Sequence, residues 1–462
     1  MNEENIKEKY IELRKTYKSF TYKTYEYKIK EGGLYMEFDF EVDDFIQFNP
    51  KLMIPTNIFV DFTRVSTSFL SQMVFNIGMV ELISYWKSIC PTDVYILPYN
   101  LDEEQLAFWK KIYFNGLGEF FFLNGIDATE EDFMNLIPNT EARKLKPEHI
   151  EVDDSSIIPV GGGKDSVVSL ELLKEKGENL ALIMNPRGAS KATADIGGLD
   201  MRRTIVVKRF LDTKLLDLNA KGFLNGHTPF SALLAFISVL SAGIAGKKYI
   251  ALSNEASANE PTIPGTNINH QYSKSLEFES DFRSYIEKSI TPDIKYFSLL
   301  RPLSELQIAS IFAKNRKYFA DFKSCNAGSK ENIWCGECSK CLFTFIILSP
   351  FLKPEVLIDI FGSNLLEKES LRNYFKELAG IANEKPFECV GTVDEVNAAL
   401  CMAIPMYKEN PLPLLLQEYS DNNADSKCSK INKESLLKTI EKDHFVEEEF
   451  MKLIKEQLQI DE

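Results

Sequence analysis

Three consecutive glycines stand between a short apolar run and a helical segment, and no other feature of the sequence constrains the fold as strongly. The apolar run covers residues 157–160, and the helical pattern covers residues 167–176. Glycines allow a sharp turn that brings backbone N–H groups against an anion, and the helix N-terminus adds partial positive charge. The predicted anion site, called the glycine loop below, consists of Gly161, Gly162, Gly163, Lys164, Asp165 and Ser166.

The spacing within the glycine loop restricts the kind of anion that it binds. It matches neither the Gly-x-Gly-x-x-Gly pattern of dinucleotide sites nor the Walker pattern. It resembles the Ser-Gly-Gly-x-Asp-Ser loop of the PP-loop ATP pyrophosphatases, which implies that ATP binds here and is split into AMP and pyrophosphate. Gly161 stands where that family usually has serine, so one hydroxyl contact is missing. The alternative is a glycine-rich turn that binds no ligand.

Three side chains of the glycine loop have predicted roles toward ATP. Lys164 and Ser166 are expected to contact oxygens of the pyrophosphate group. Asp165 is negatively charged like the phosphates, so it is expected to act through a magnesium ion or to cap the helix.

A second loop, residues 253–260, follows another predicted strand. Ligands of doubly wound sheets lie beyond the carboxyl ends of the strands, so this loop is placed for chemistry. Ser253 and Asn254 are predicted to contact the nucleotide, and the carboxylates of Glu255 and Glu260 are suited to bind magnesium or to act as a base. The alternative is a polar loop whose serine and asparagine side chains stabilise turns.

The central part of the sequence predicts an α/β domain. Its strands lack polar alternation, which indicates burial on both faces, and the connections between them are long enough for helices. We therefore predict a doubly wound parallel sheet over residues 151–350. The apolar runs that carry this prediction are residues 157–160, 180–184, 204–207 and 248–252. The resemblance of the glycine loop implies that this domain is of the PP-loop type, similar to the adenine nucleotide α-hydrolases.

The flanking regions differ from this pattern. Residues 1–150 are predicted to form an N-terminal α+β domain, because residues 35–42 alternate as a half-exposed strand and residues 68–88 follow a helical period. Residues 351–462 are predicted to be mainly helical. Within that region residues 417–430 are polar enough to form a flexible loop or linker.

Four of the eight cysteines crowd into one short stretch of the sequence. Two Cys-x-x-Cys steps share one cysteine, and four thiolates suit a tetrahedral structural zinc ion. An iron–sulfur cluster and unligated core cysteines are the alternatives. The predicted metal ligands are Cys325, Cys335, Cys338 and Cys341.

Charge and hydropathy exclude several classes of protein. The formal net charge of −15 disfavours a broad nucleic-acid surface, so no nucleic-acid partner is expected. Residues 228–246 carry no charge but are rich in small residues, so we predict a buried helix and no membrane span. The polar, acidic N-terminus has no apolar segment typical of a secretory signal, which predicts a cytoplasmic protein.

Two families resemble this sequence. The glycine loop with a late Cys-Gly-x-Cys-x-x-Cys resembles the queuosine-precursor synthases, but residues 1–150 have no counterpart there. A fuller resemblance is to the ATP-dependent UDP-N-acetyl-muramoyl-L-alanyl-L-glutamate epimerases of peptidoglycan synthesis. The landmarks of this second resemblance are the glycine loop, the cysteine run and residues 78–87, 115–120, 253–260 and 385–391.

The second resemblance implies a substrate and a reaction. ATP would adenylate the terminal glutamate carboxylate of a UDP-N-acetylmuramoyl-dipeptide, and a base would then remove the α-proton so that the centre inverts. Residues 1–150 would recognise the UDP-sugar. The candidate acid and base residues are Cys389, Glu255, Glu260, His227 and His270.

The sequence does not identify which of these residues act as the acid and the base. Cys389, for example, is as well suited to a buried structural role as to catalysis. Two other functions also stay open. A ligase would act on a deazapurine carboxylate or a tRNA base. A nucleotide sensor would bind ATP without cleaving it.

Overall fold

The computed structural model describes residues 3–263, 265–382, 384–407 and 411–460. Within these ranges the chain forms an α/β structure with a large mixed sheet and many helices. Its strands are β1 (Ser19–Lys30), β2 (Gly33–Val42), β3 (Ile46–Phe48), β4 (Lys51–Pro55), β5 (Asp93–Ile96), β6 (Asn135–Pro138), β7 (Asp153–Pro159), β8 (Leu180–Met184), β9 (Thr204–Phe210), β10 (Lys247–Leu252) and β11 (Lys295–Ser298).

Helices connect most of these strands and form the C-terminal region. They are α1 (Glu3–Thr16), α2 (Thr67–Trp86), α3 (Glu103–Gly116), α4 (Gly118–Leu123), α5 (Lys164–Leu173), α6 (Gly188–Ile196), α7 (Thr213–Ala220), α8 (Phe230–Ala245), α9 (Leu276–Ser289), α10 (Glu305–Ala313), α11 (Ser339–Leu348), α12 (Pro354–Phe361), α13 (Arg372–Leu378), α14 (Val393–Ala403), α15 (Leu414–Lys427), α16 (Lys433–Lys438) and α17 (Glu448–Leu458).

The sheet combines parallel and antiparallel pairs. Its strand order is β11-β10-β7-β8-β9-β4-β2-β1-β5-β6, and β3 pairs with β2. β7 and β10 are parallel, with Ile157 opposite Ile250, as expected for strands joined by helical connections. β9, however, pairs antiparallel with β4. The prediction of α/β structure is therefore confirmed, but the sheet is mixed.

The chain divides into two compact units, and each is built from three separate segments. The first unit contains residues 1–157, 205–250 and 267–296, and the second contains residues 158–204, 251–266 and 297–462. These limits differ from consecutive domains at 1–150, 151–350 and 351–462, because strands distant in sequence pack together. The three-domain division stays a prediction.

Helix α2 is the core of the first unit and is buried nearly all round. Gly78 allows close packing, since a Cβ there would lie 2.6 Å from Cζ of Tyr22. The same helix carries Glu81, which is fully buried and accepts N–H donors from Arg209 at 2.5 and 2.8 Å. This ion pair compensates the charge of a buried carboxylate that would otherwise destabilise the core.

The second unit contains the glycine loop and a layer of helices. In this unit Val160 N donates to Leu182 O at 2.9 Å, and Leu299 N donates to Leu252 O at 2.8 Å. These bonds hold together strand ends that lead into the candidate site. A disulfide joins Cys401 and Cys428, although no pattern in the sequence predicts one.

Two predictions about helices have clear outcomes. The prediction of a flexible loop or linker at residues 417–430 is wrong for most of this stretch, since α15 extends to Lys427. Leu415, Leu416 and Tyr419 are buried on one side of that helix. Residues 228–246 contain the predicted buried helix, α8. None of the helices in the described ranges combines the length and apolar character that a membrane crossing requires.

Candidate functional site

The three glycines of the glycine loop lie in different environments. Gly162 has φ of +93°, and a Cβ there would lie 2.7 Å from backbone atoms of Ala189 and Ser190. Gly163 precedes α5, and a Cβ there would lie 2.5 Å from Oγ of Ser324. Gly161 is exposed, and a Cβ added to it would meet no atom of the described residues within 4 Å. The loop therefore needs glycine at position 162 for its shape and presents an open face at position 161.

Ser166 stabilises the loop from within. Its hydroxyl accepts a hydrogen bond from Gly162 N at 3.3 Å and donates to Gly163 O at 3.0 Å, and the residue is 5% exposed. The predicted contact between Ser166 and a phosphate oxygen stays a prediction. The structure places the hydroxyl in the bonds that hold the turn.

Lys164 lies inside the protein beside two carboxylates. Its ammonium group donates to Asp165 and Glu305, and the residue is 2% exposed. Burial alone would lower the pKa of Lys164, but these two carboxylates raise it above its ordinary value. The lysine is therefore charged, and its charge is already balanced by protein groups.

More carboxylates than cations surround this lysine. Burial raises the pKa of Glu305 well above its ordinary value, Lys164 opposes that shift, and the charges of Asp165, Glu255 and Glu395 reinforce it. Glu395 accepts N–H groups from Glu305 at 2.7 Å and from Thr392 at 2.8 Å. We call Asp165, Glu255, Glu305 and Glu395 the carboxylate cluster. Its excess of negative charge favours uptake of a proton or a cation.

The loop at residues 253–260 lies against α5, the helix that follows the glycine loop. Oγ of Ser253 is 2.8 Å from Oγ of Ser169 in α5. Asn254 is buried and donates to Oγ of Ser298 at 3.0 Å. The structure thus brings the two predicted nucleotide loops together.

Glu255 is held by its backbone as well as its side chain. Arg301, 1% exposed, donates to Glu255 O at 2.6 Å, and Oγ of Ser257 donates to Glu255 Oε1 at 3.3 Å. Glu255 itself is 5% exposed. Arg301 therefore fixes the loop that carries this candidate base.

The catalytic candidates Glu260 and Cys389 lie on neighbouring loops. Glu260 forms an ion pair with Lys385, and Glu388 accepts a hydrogen bond from Asn326 at 2.6 Å. Both contacts hold residues 385–390 in place, and this segment carries the half-buried Cys389. Glu260 and the Cys389 segment are therefore adjacent in the second unit.

The four predicted metal-binding cysteines converge. Their sulfur atoms lie within 4.8 Å of one another, including 3.5 Å between Cys338 and Cys341 and 3.7 Å between Cys335 and Cys341. Gly328 N donates to the sulfur of Cys325 at 3.1 Å. Four converging sulfurs with an N–H donor fit a structural zinc site.

The cysteine cluster is linked to the glycine loop through the residues before Cys325. Lys323 N donates to Gly162 O at 2.9 Å, and Ser324 packs against Gly163. A metal that fixes Cys325 would therefore also fix one wall of the glycine loop.

The two candidate histidines lie in the first unit. Nδ1 of His227 is 3.6 Å from Oε2 of Glu119, and Nδ1 of His270 is hydrogen-bonded to the same oxygen. The ring centroids of the two histidines are 4.4 Å apart. Burial, with the nearby His270, lowers the pKa of His227 to about 4, although Glu119 opposes the shift.

Sequence reasoning missed several residues of these sites. Glu305, Arg301, Lys385 and Lys323 belong to no motif, because their roles depend on contacts between distant segments. Glu119 lies within residues 115–120, which served only as a landmark. Its acidic side chain among glycines was the available signal.

Two family domains match most of the chain. The MurL N-terminal domain matches residues 12–299, and the MurL C-terminal domain matches residues 321–454. The first match includes the glycine loop and the histidines. The second includes the cysteine cluster and Cys389.

Curated relatives agree with the domain matches. The UDP-N-acetyl-alpha-D-muramoyl-L-alanyl-L-glutamate epimerase of Xanthomonas oryzae pv. oryzae is 36% identical over 70% of this chain and 72% of its own length. Proteins of the same name from Micromonospora sp. and Salinispora tropica are each 36% identical, over 72% and 73% of this chain and 75% and 74% of their own lengths. No solved structure matches.

Proposed function

Because this chain belongs to the MurL family of UDP-N-acetyl-alpha-D-muramoyl-L-alanyl-L-glutamate epimerases, we propose that it inverts the terminal L-glutamate of UDP-N-acetylmuramoyl-L-Ala-L-Glu to D-glutamate. ATP would be split into AMP and diphosphate in the same cycle. The chain would then be an isomerase of peptidoglycan precursor synthesis, and it would act in the cytoplasm, where ATP is available.

The observation that carries the ATP requirement is the geometry of the glycine loop. It follows the carboxyl end of β7, leads into the N-terminus of α5 and packs against Ala189 and Ser190 at the start of α6. The open face at Gly161 leaves room for a phosphate beside these helix ends. This arrangement supports a PP-loop site for the pyrophosphate of ATP.

Adenylation solves the chemical difficulty of the reaction. Removing the α-proton from a free glutamate carboxylate would place a second negative charge beside the first. Transfer of AMP to that carboxylate forms a mixed anhydride, releases diphosphate and neutralises the carboxylate. A base can then remove the α-proton, a proton returns on the opposite face, and water cleaves the anhydride to free AMP.

Magnesium is part of this proposal because the site carries too much negative charge to accept ATP alone. Lys164 is balanced by Asp165 and Glu305, and Glu255 adds a further carboxylate to the cluster. Asp165 and Glu255 would hold the ion, since carboxylate oxygens are preferred magnesium ligands. The ion would screen the phosphates from the cluster.

Glu260 and Cys389 are our choice for the acid and base. They lie on adjacent segments, joined by the Glu260–Lys385 ion pair, and a two-base inversion needs one group on each face of the substrate carbon. Glu255 is more deeply buried than these two residues, and it belongs to the carboxylate cluster. We therefore assign it to the nucleotide half of the site.

The test incubates the purified chain with ATP, magnesium and UDP-N-acetylmuramoyl-L-Ala-L-Glu in heavy water. We expect AMP, diphosphate and D-glutamate that carries deuterium at the α-carbon. UDP-N-acetylmuramoyl-L-Ala, which lacks the glutamate, should give no AMP. Glutamate that stays in the L form while the folded chain binds ATP would overturn the proposal, and AMP formed with a deazapurine carboxylate would favour the ligase alternative.

Single variants separate the two halves of the reaction. Glu260→Gln and Cys389→Ala should retain AMP formation but lose inversion, by at least about 100-fold for loss of an acid or base. Glu255→Gln should lose AMP formation itself. If Glu260→Gln and Cys389→Ala invert glutamate at the unaltered rate, the assignment of these two residues is wrong.

A further inference from the structure

Three separate segments of the first unit bring two imidazoles and one carboxylate together. Glu119 comes from α4, His227 precedes α8, and His270 lies before α9. Their ligand atoms lie within 4.8 Å of one another. The side chains are only 13–27% exposed. The proposed epimerisation does not use this cluster, which we call the histidine cluster.

Gly116 allows close packing of these segments, and Gly118 lies at an ordinary contact distance. A Cβ at Gly116 would lie 2.7 Å from the ring of Pro229, and a Cβ at Gly118 would lie 3.7 Å from Cγ2 of Ile268. These contacts place the loops of His227 and His270 against the two ends of the α3–α4 junction. Residues 115–120 therefore contact the loops of both histidines.

Hydrogen bonds fix the loop of His227 further. Nδ2 of Asn124 donates to Asn225 O at 3.2 Å, and the amino group of Lys87 donates to Gly226 O. A Cβ at Gly226 would also lie 2.9 Å from the ring of Phe120. The backbone beside His227 is thus tied to α2 and α4, so that the cluster is preorganised.

Both imidazoles direct Nδ1 toward the same oxygen. Oε2 of Glu119 is hydrogen-bonded to Nδ1 of His270 and lies 3.6 Å from Nδ1 of His227. One histidine is enough to satisfy one carboxylate by hydrogen bonding. Two imidazole nitrogens and a carboxylate oxygen converging on one point are the ligand set of open zinc sites.

We propose that Glu119, His227 and His270 bind one zinc ion in the first unit. Nitrogen ligands favour zinc over magnesium and calcium, which prefer oxygen. Three protein ligands leave a fourth position, which takes water or the oxygen of an anionic ligand such as a carboxylate or a phosphate. This site is distinct from the cysteine cluster in ligand type and in its open position.

Metal content tests the proposal directly. The full chain, purified with zinc present and then dialysed, should hold two zinc ions, one at the cysteines and one at the histidine cluster. His270→Gln and Glu119→Gln should each lose one equivalent. His149→Gln is the matched control, because His149 also contacts a carboxylate, Asp293, but belongs to neither cluster of metal-ligand side chains found among the described residues. The proposal is overturned if His270→Gln and the unaltered chain hold equal zinc.

Cobalt binding to the unaltered chain gives a second measurement. This measurement does not require that any variant folds. Cobalt bound to four thiolates has intense sulfur charge-transfer absorption, whereas cobalt bound to imidazole and carboxylate lacks it. The unaltered chain should therefore add a second cobalt equivalent without added sulfur bands. Saturation after one equivalent with sulfur bands only would overturn the proposal. Neither measurement requires turnover, so the proposed epimerisation and the zinc site can fail independently.

Discussion

At the residue scale, two adjacent glycines differ in whether the structure can accommodate a side chain in their place. Gly162 has φ of +93° and no room for a Cβ, whereas a Cβ at Gly161 would meet none of the described residues. Gly162→Ala should therefore abolish ATP binding and cost about 1–3 kcal/mol of stability from backbone strain. Gly161→Ser should fold as well as the unaltered chain and bind ATP at least as tightly. Calorimetric titration with ATP and thermal unfolding measure both. Equal effects of the two substitutions would contradict this account of the loop.

Lys164 gives a second prediction at this scale. Lys164→Met leaves the buried carboxylate of Glu305 and the part-exposed carboxylate of Asp165 without their cation, which should cost about 3–5 kcal/mol. Glu305 already has a pKa above its ordinary 4.5, so the folded state binds more protons than the unfolded state above that pH. Stability therefore falls as pH rises, and losing Lys164 steepens that fall.

The measurement for Lys164 is denaturant unfolding at two pH values. The deficit of Lys164→Met should be smaller at about pH 5 than at about pH 8, because protonation of Glu305 relieves it. Adding Glu305→Gln to Lys164→Met should recover part of the loss. A deficit that does not change with pH would show that the carboxylates are not its cause.

At the scale of elements, α11 begins at the cysteine cluster, and the preceding segment contacts the glycine loop. Cys338→Ser, or removal of metal by a chelator, should destabilise the second unit and weaken ATP binding together. The expected loss is on the order of 5 kcal/mol, part of the roughly 10–16 kcal/mol contributed by zinc in small zinc domains. Cys90→Ala is the control, since Cys90 is a buried free cysteine outside the cluster. Unchanged ATP affinity after metal loss would refute the link.

The strands and helices also show which structural features can be predicted from sequence patterns and which cannot. Buried runs predicted β7, β8, β9 and β10, and an uncharged stretch predicted α8, because these signals are local. The antiparallel pairing of β9 with β4 has no local signal, since it depends on which distant strand edge is available for pairing.

The candidate site was predicted only in part for the same reason. The glycine loop and the four cysteines were predicted, but Glu305 and Arg301 were not, because they reach the site only through tertiary packing.

At the scale of the whole molecule, the net charge of −15 opposes the approach of anionic substrates. The proposed substrates, ATP and a UDP-linked dipeptide, are both strongly negative, so long-range repulsion should slow their encounter with the protein at low salt. Raising ionic strength from about 10 mM to about 150 mM shortens the screening length from about 30 Å to about 8 Å. The KM values should therefore fall at constant magnesium while kcat stays unchanged. Steady-state kinetics at several salt concentrations check this, and a rise in KM would contradict it.

The interleaved segments of the two units have a consequence during synthesis. The first unit lacks its third segment until residue 296 has been translated, although its first 157 residues include the apolar helix α2. At about 5–20 residues per second, the ribosome holds that helix without its full set of partners for many seconds. Nascent chains should therefore recruit chaperones over this interval, and production of soluble protein should improve where elongation and chaperone supply are matched.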